Sequence, residues 1–366
     1  MVDRIKEMET SHERQYNLDL LKAVAIICMV ICHFVWMLGS YRPNYQNEFL
    51  YFFADVFLGG YFVVAHGFMF SMGLGIVYSR RNSPIELIDR GLKIILIAYL
   101  LNFLRSGMFF LTYDLINGAI TKDSLVALFE SDILQFVGLA LIFTGILRKF
   151  KLKGNYIFAI GLILSAIGTT IAFNDMGNYM LNTLLGLFVF STHDATTFTF
   201  SNWYLFVATG ILFGEILHST HDKDRLYKWV LIISGIYMAL YIILTGKFSI
   251  MALSPGHMYY ACSPIEAFGL LSIDFFLLSV FYFLLKKIDI SNFHVLVEMS
   301  MNINSIYCIH WCIIGAIEFF GCFLLGWQPS YTVLYIGGVI LIIVSFFLAR
   351  WYKSQKAKYM ERQILC

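Results

Sequence analysis

Charge is what this chain has least of. Only 14% of its 366 residues are charged, against 59% hydrophobic, where a soluble domain of that length carries roughly 25% charged residues. So few polar groups cannot cover a globular surface. Lipid resolves the difficulty, because it accepts helices that are apolar all round. Other absences exclude further classes. The 26 Lys and Arg nearly balance 24 Asp and Glu, and no basic stripe suggests nucleic acid. No Walker-type or dinucleotide glycine motif occurs. The seven cysteines (Cys28, Cys32, Cys262, Cys308, Cys312, Cys322, Cys366) have no CxxC or finger spacing and read as small packing residues. No two histidines stand at ligand spacing within a helix, so no metal site is readable. The polar N-terminus lacks the apolar core of a cleavable signal peptide, and the first helix is expected to insert uncleaved.

What remains is apolar, with a mean hydropathy of +0.73. Runs of spanning length, about 20 residues each, recur at 18–39, 50–78, 91–112, 132–148, 155–173, 202–218, 229–246, 265–285, 296–322 and 331–351. The run Tyr179 to Phe190 is too short to cross and is expected to re-enter or lie at the interface. Short connections rich in Lys and Arg stay cytoplasmic. They are Arg80–Lys93, the stretch RKFKLK at 148–153, Lys223–Lys228, Lys286–Lys287 and the tail from Arg350 to Arg362. Ten spans put every one of these on one side. The expectation is an all-α polytopic bundle of about ten transmembrane helices, both termini cytoplasmic. It forms one domain over 1–366, with a polar segment 1–17 and a basic tail 352–366. Trp36, Tyr41, Trp203, Trp327 and Tyr331 near span ends suit membrane interfaces.

Ionisable groups inside a bilayer are costly and usually face a protein interior or a cavity. The first span, NLDLLKAVAIICMVICHFVW, holds three: Asp19, Lys22 and His33. Lys22 and His33 stand 11 residues apart, three turns or about 16 Å along the axis, so they share a face. Asp19 lies within pairing reach of Lys22. The bland reading has Lys22 snorkelling and His33 near the outer headgroups. The functional one makes His33 a general base. His66 shares a face with Asp55, which precedes it by 11 residues, and the two suit an acceptor or a proton transfer. His310 sits in the ninth span above Asn302, Asn304 and Ser305.

A cation, ten intervening residues and a histidine, following Leu-Asp, resembles the first-helix signature of the membrane-bound sugar acyltransferase superfamily. The usual cation there is Arg; here it is Lys22. Further stretches are similar in order: GFMFSMGLGIVYSRR (67–81), IDRGLKIILIAYLLNF (88–103), DILQFVGLALIFTGIL (132–147), NWYLFVATGILFGEIL (202–217) and MSMNINSIYCIHWCII (299–314). The fourth-span "DIL…GL" looks most like the heparan-alpha-glucosaminide N-acetyltransferase group.

The resemblance implies transfer of an acyl group, acetyl by preference, from cytoplasmic acyl-CoA to a hydroxyl or amine of a sugar at the far side, without a metal. In that reading His33, Asp19 and His66 are catalytic. Lys22, Arg80, Arg81, Arg90, Lys93 and His310 hold the CoA, and Arg90 and Lys93 begin a span from which they can point inward. Asp55, His257 and Glu266 meet the acceptor. The partners expected are the lipid bilayer, acyl-CoA, a carbohydrate acceptor (a cell-envelope or lipid-linked glycan) and a second copy of the chain in a homodimer. The setting expected is a bacterial cytoplasmic membrane. A proton-coupled secondary transporter is the alternative, since intramembrane His, Asp and Lys also make a relay. Against it, no paired, interrupted helices recur in two matching halves.

Overall fold

The computed structural model describes residues 14–43, 64–171, 175–189, 197–245 and 262–364. Asp55 and His257 lie outside them. Helices dominate, as backbone in hydrocarbon requires, because a helix satisfies every peptide group within its own segment. Among the described residues, six helices are long and apolar enough to cross a membrane: Tyr16–Gly39, Pro84–Asn117, Phe200–Ser219, Pro264–Leu285, Ile303–Leu324 and Tyr331–Tyr359.

In chain order the helices are α1 (Tyr16–Gly39), α2 (Ala65–Tyr78), α3 (Pro84–Asn102), α4 (Met108–Asn117), α5 (Lys122–Phe129), α6 (Ile133–Lys149), α7 (Gly154–Thr170), α8 (Tyr179–Phe188), α9 (Phe200–Ser219), α10 (Lys223–Thr245), α11 (Pro264–Leu285), α12 (His294–Met301), α13 (Ile303–Ile317) and α14 (Tyr331–Ile364). Their starts carry the expected signals. Ser83 and Glu86 form a capping box with Pro84 at the first helical position, and Ser263, Pro264 and Glu266 repeat it at α11. Three expected boundaries shift. The third span is continuous from Pro84 to Asn117, the ninth is broken at Asn302, and α14 runs 34 residues because the basic tail continues its helix.

The bundle sorts its helices by burial. α9 is the inner post, packed against α2 on one side and α7 on the other. Gly73 and Gly210 let α2 and α9 touch backbone to backbone, since a methyl group on either would run into the other helix's carbonyl oxygen; small residues at such crossings are the usual device in membranes. α1 is enclosed by α2, α11, α12, α13 and α14. By contrast α3 and α14 turn Leu92, Leu96, Leu100, Ile340, Ile343 and Phe347 outward, as lipid-facing helices do.

Two π-helical segments interrupt this regularity. One, Phe103–Gly107, joins α3 to α4; the other, Glu318–Leu324, continues α13. The first packs against α13 at Gly315, where a methyl group would collide with the Arg105 carbonyl oxygen. Phe109 and Phe110 pack on Phe319, and Phe110 and Tyr113 on Phe323, all with ring centroids within 5.4 Å. Wide turns of this kind occur most often at functional sites.

Candidate active site

α1 and α13 run side by side in the same direction, and three polar contacts mark their common axis. Ser300 Oγ, in α12 just before α13, donates to Asp19 at 2.7 Å. His33 Nδ1 and His310 Nε2 meet at 3.1 Å. Tyr41 Oη donates to Glu318 at 3.3 Å.

The middle contact has a readable proton arrangement. His310 Nδ1 lies 3.2 Å from the Ile306 carbonyl, which can only accept, so that nitrogen carries hydrogen. With both rings neutral, His310 Nε2 is then an acceptor and His33 Nδ1 its donor. The lone pair of His33 is left on Nε2. His310 is fully buried, whereas His33 is half-buried and lines a cavity of about 220 Å³. A histidine oriented through one nitrogen and open at the other is what a general base requires.

The opposite wall is built by the first π-helical segment. Arg105 is 5% exposed, and a guanidinium so enclosed has to be paired. Its Nη2 reaches Glu130 at 2.9 Å and its Nη1 Asp132 at 3.4 Å. Asp132 also accepts from Tyr307 Oη at 3.1 Å and caps α6 through the Ile133 amide. Asn102 holds the Glu130 carbonyl at 2.8 Å. The guanidinium lies 4.7 Å over the Trp311 ring, and that ring lies 4.5 Å from His33. The charge network thus sets the aromatic plate on which His33 rests. His33, Arg105, Glu130, Asp132, Trp311 and Glu318 all face the same cavity.

A family model described as an acyltransferase domain matches residues 15–350. The chain belongs to that family. No curated protein matches it.

Within this acyltransferase domain the expected site residues divide. His33 and His310 come together. Asp19 gives its hydrogen bonds elsewhere, accepting from Arg14 Nε at 2.6 Å and from Ser300, while its charge still acts on Lys22. Lys22 sits three turns from the histidine pair, nearer that end of α1. His66 is fully buried and bonded through Nδ1 to both oxygens of Asp274, each at 3.0 Å. It stands behind the cavity wall, which its neighbours Val64 and Ala65 line. Arg80 and Arg81 are exposed, and Arg90 donates to the Arg81 carbonyl at 3.1 Å. Lys93 is exposed and pairs with Asp89 one turn back, rather than pointing inward. Glu266 closes a helix-capping box, its carboxylate accepting from Ser263 N at 2.7 Å.

Arg105, Asp274, Tyr307, Trp311 and Glu318 are the residues that sequence reasoning passed over. A signal existed for three of them. Arg105, Asp274 and Glu318 are ionisable groups inside apolar runs, which is itself a functional pointer. For Tyr307 and Trp311 none existed, because an aromatic in a spanning helix is ordinary.

Proposed function

We propose that this acyltransferase transfers an acyl group from cytoplasmic acyl-CoA to a hydroxyl or amine of a sugar on the far side, with His33 as general base. The carrying observation is the His33–His310 contact, which leaves His33 Nε2 free at a cavity. In the reaction the acceptor oxygen or nitrogen attacks the thioester carbonyl while His33 Nε2 takes its proton. The carbon–sulfur bond then breaks, and the imidazolium returns that proton to the departing thiolate. The Nδ1–H···Nε2 bond to His310 strengthens as His33 becomes charged, since charge-assisted hydrogen bonds are the stronger ones. The Trp311 face beneath it favours a cation too.

The donor side is assigned to the Lys22 end of α1. Its supports are the basic connections Arg80–Lys93 and 148–153, which the charge rule places in the cytoplasm. Arg80, Arg81 and Arg90 stand at that edge, where the phosphates of CoA need cations. The bundle is read as ten spans with both termini cytoplasmic. They comprise the six long helices together with α2, α6, α7 and α10. The setting is a bacterial cytoplasmic membrane, and the DIL…GL stretch of α6 resembles the heparan-alpha-glucosaminide N-acetyltransferase group.

Purified protein in detergent, given acetyl-CoA and a panel of amino and neutral sugars, is expected to release CoA and yield a sugar heavier by one acetyl group. His33→Ala is expected to lower kcat by about 10²–10⁴-fold, the usual contribution of a general base. Full activity in that variant removes the assignment.

A further inference from the structure

On α1 the cavity spans about one turn to either side of His33, from Met29 to Met37, and on the neighbouring helix it runs from Trp311 through Gly315 to Glu318. Along that second helix it extends from the histidine pair toward the Tyr41–Glu318 contact. Its volume, about 220 Å³, is below the roughly 300–1,000 Å³ of pockets for drug-sized ligands. It suits a single ring, not a nucleotide cosubstrate.

Its chemistry is that of a polyol site. Trp36, Trp311 and Phe198 supply aromatic faces. The Trp36 indole N–H is buried with no hydrogen-bond partner among the described residues, an arrangement that costs free energy until an acceptor oxygen arrives. Three carboxylates line the space against one guanidinium. Arg105 is committed to Glu130 and Asp132. No ion pair among the described residues reaches Glu318, whose hydrogen bond from Tyr41 is long at 3.3 Å. Glu318 opens the second π-helical segment, and the wide turn carries its carboxylate to the cavity wall.

We propose that this cavity is the acceptor subsite and that Glu318 is its specificity determinant, selecting a neutral or amine-bearing sugar over one with a carboxylate beside the acylated position. The inference rests on the acyltransferase reading above for what the acceptor is used for, but not for whether it binds. A carboxylate with a free edge accepts from sugar hydroxyls or an ammonium group. An anionic acceptor meets the Glu318 carboxylate, unpaired among the described residues, and the one guanidinium lining the cavity is already held by Glu130 and Asp132.

The test is binding without any acyl donor. Intrinsic tryptophan fluorescence of the full chain in detergent is titrated with glucosamine, methyl glucoside and glucuronate. Glucosamine and methyl glucoside are expected to change the emission, a change that Trp36→Phe removes, with glucuronate at least tenfold weaker. Glu318→Gln is expected to weaken glucosamine at least tenfold and to narrow its margin over glucuronate. Glucuronate binding as tightly as glucosamine to the unaltered protein, an unchanged margin in Glu318→Gln, or no response to any sugar overturns the proposal. The wild-type margin carries the test even if the variant does not fold. Sugar binding without CoA release defeats the catalytic reading alone, and CoA release without the margin defeats the role of Glu318 alone.

Discussion

His33 Nδ1 and His310 Nε2 lie 3.1 Å apart across two parallel helices, and the carbonyl of Ile306 fixes which of them donates. The catalytic competence proposed for His33 depends on that arrangement, so His310 acts as a positioning residue and has a separable signature. His310→Ala is expected to lower kcat more than about tenfold with KM for acyl-CoA little changed, the pattern of an interaction realised in the transition state. Initial rates of CoA release over a range of acyl-CoA concentrations separate the two parameters. A variant that raises KM alone would make His310 a wall of the donor site.

Arg105 supports the same histidine at one remove. Its guanidinium neutralises Glu130 and Asp132 and stacks on Trp311. Removing one member of a buried ion pair strands the others, at a cost of about 3–5 kcal/mol. Arg105→Met is therefore expected to lose stability on that scale, read as a fall in thermal midpoint in detergent. Arg105→Lys keeps the charge but lacks the planar fork that spans two carboxylates, and its midpoint is expected to fall between the two. Equal midpoints for Lys and Met would mean that geometry, not charge, holds the network.

How far could the sequence be read? The spans were legible because apolar length is a strong signal. α6 over Ile133–Lys149 and α11 over Pro264–Leu285 fall within a residue or two of the runs 132–148 and 265–285. His33 was legible as the one imidazole in the first span, and His310 as one in the ninth. Their mutual contact was not, because 277 residues separate them and no local pattern encodes which helices become neighbours. The same blindness hid the hydrogen-bond partners of Asp19. Its spacing offered Lys22, on which its charge does act, but α12 brings Ser300 and the preceding turn brings Arg14. Lys93 turns outward for a different reason. A basic residue at the start of a span has two solutions, and Asp89 at i−4 makes the outward one available.

His66 and Asp274 form a closed pair, both fully buried, with His66 Nε2 unpartnered among the described residues. Neither lines the cavity, so their contribution is expected to be to the packing of α2 on α11. Asp274→Ala leaves the His66 Nδ1–H buried and unsatisfied, at a cost of about 1–3 kcal/mol. The expected result is a lower thermal midpoint, with CoA release falling only in proportion to the folded fraction. A loss of kcat per folded molecule of tenfold or more would restore the pair to the catalytic machinery.

Gly315 is where the first π-helical segment and α13 are allowed to touch, three residues before the second such segment begins. With a side chain there, the Arg105 backbone must retreat, and interiors packed as closely as organic crystals do not yield by an ångström for free. Such a retreat moves Arg105 off Trp311 on one side and shifts Glu318, three residues along, on the other. Gly315→Ala is therefore expected to impair both stability and turnover, and to weaken glucosamine binding as Glu318→Gln does, although the carboxylate is still present. Gly75 supplies the control. A methyl group there meets nothing within 4 Å, so Gly75→Ala is expected to change stability by no more than about 1 kcal/mol, with a slight gain from helix propensity. If Gly315→Ala behaves like Gly75→Ala, the two wide turns are not in the register that delivers Arg105 and Glu318 to one cavity.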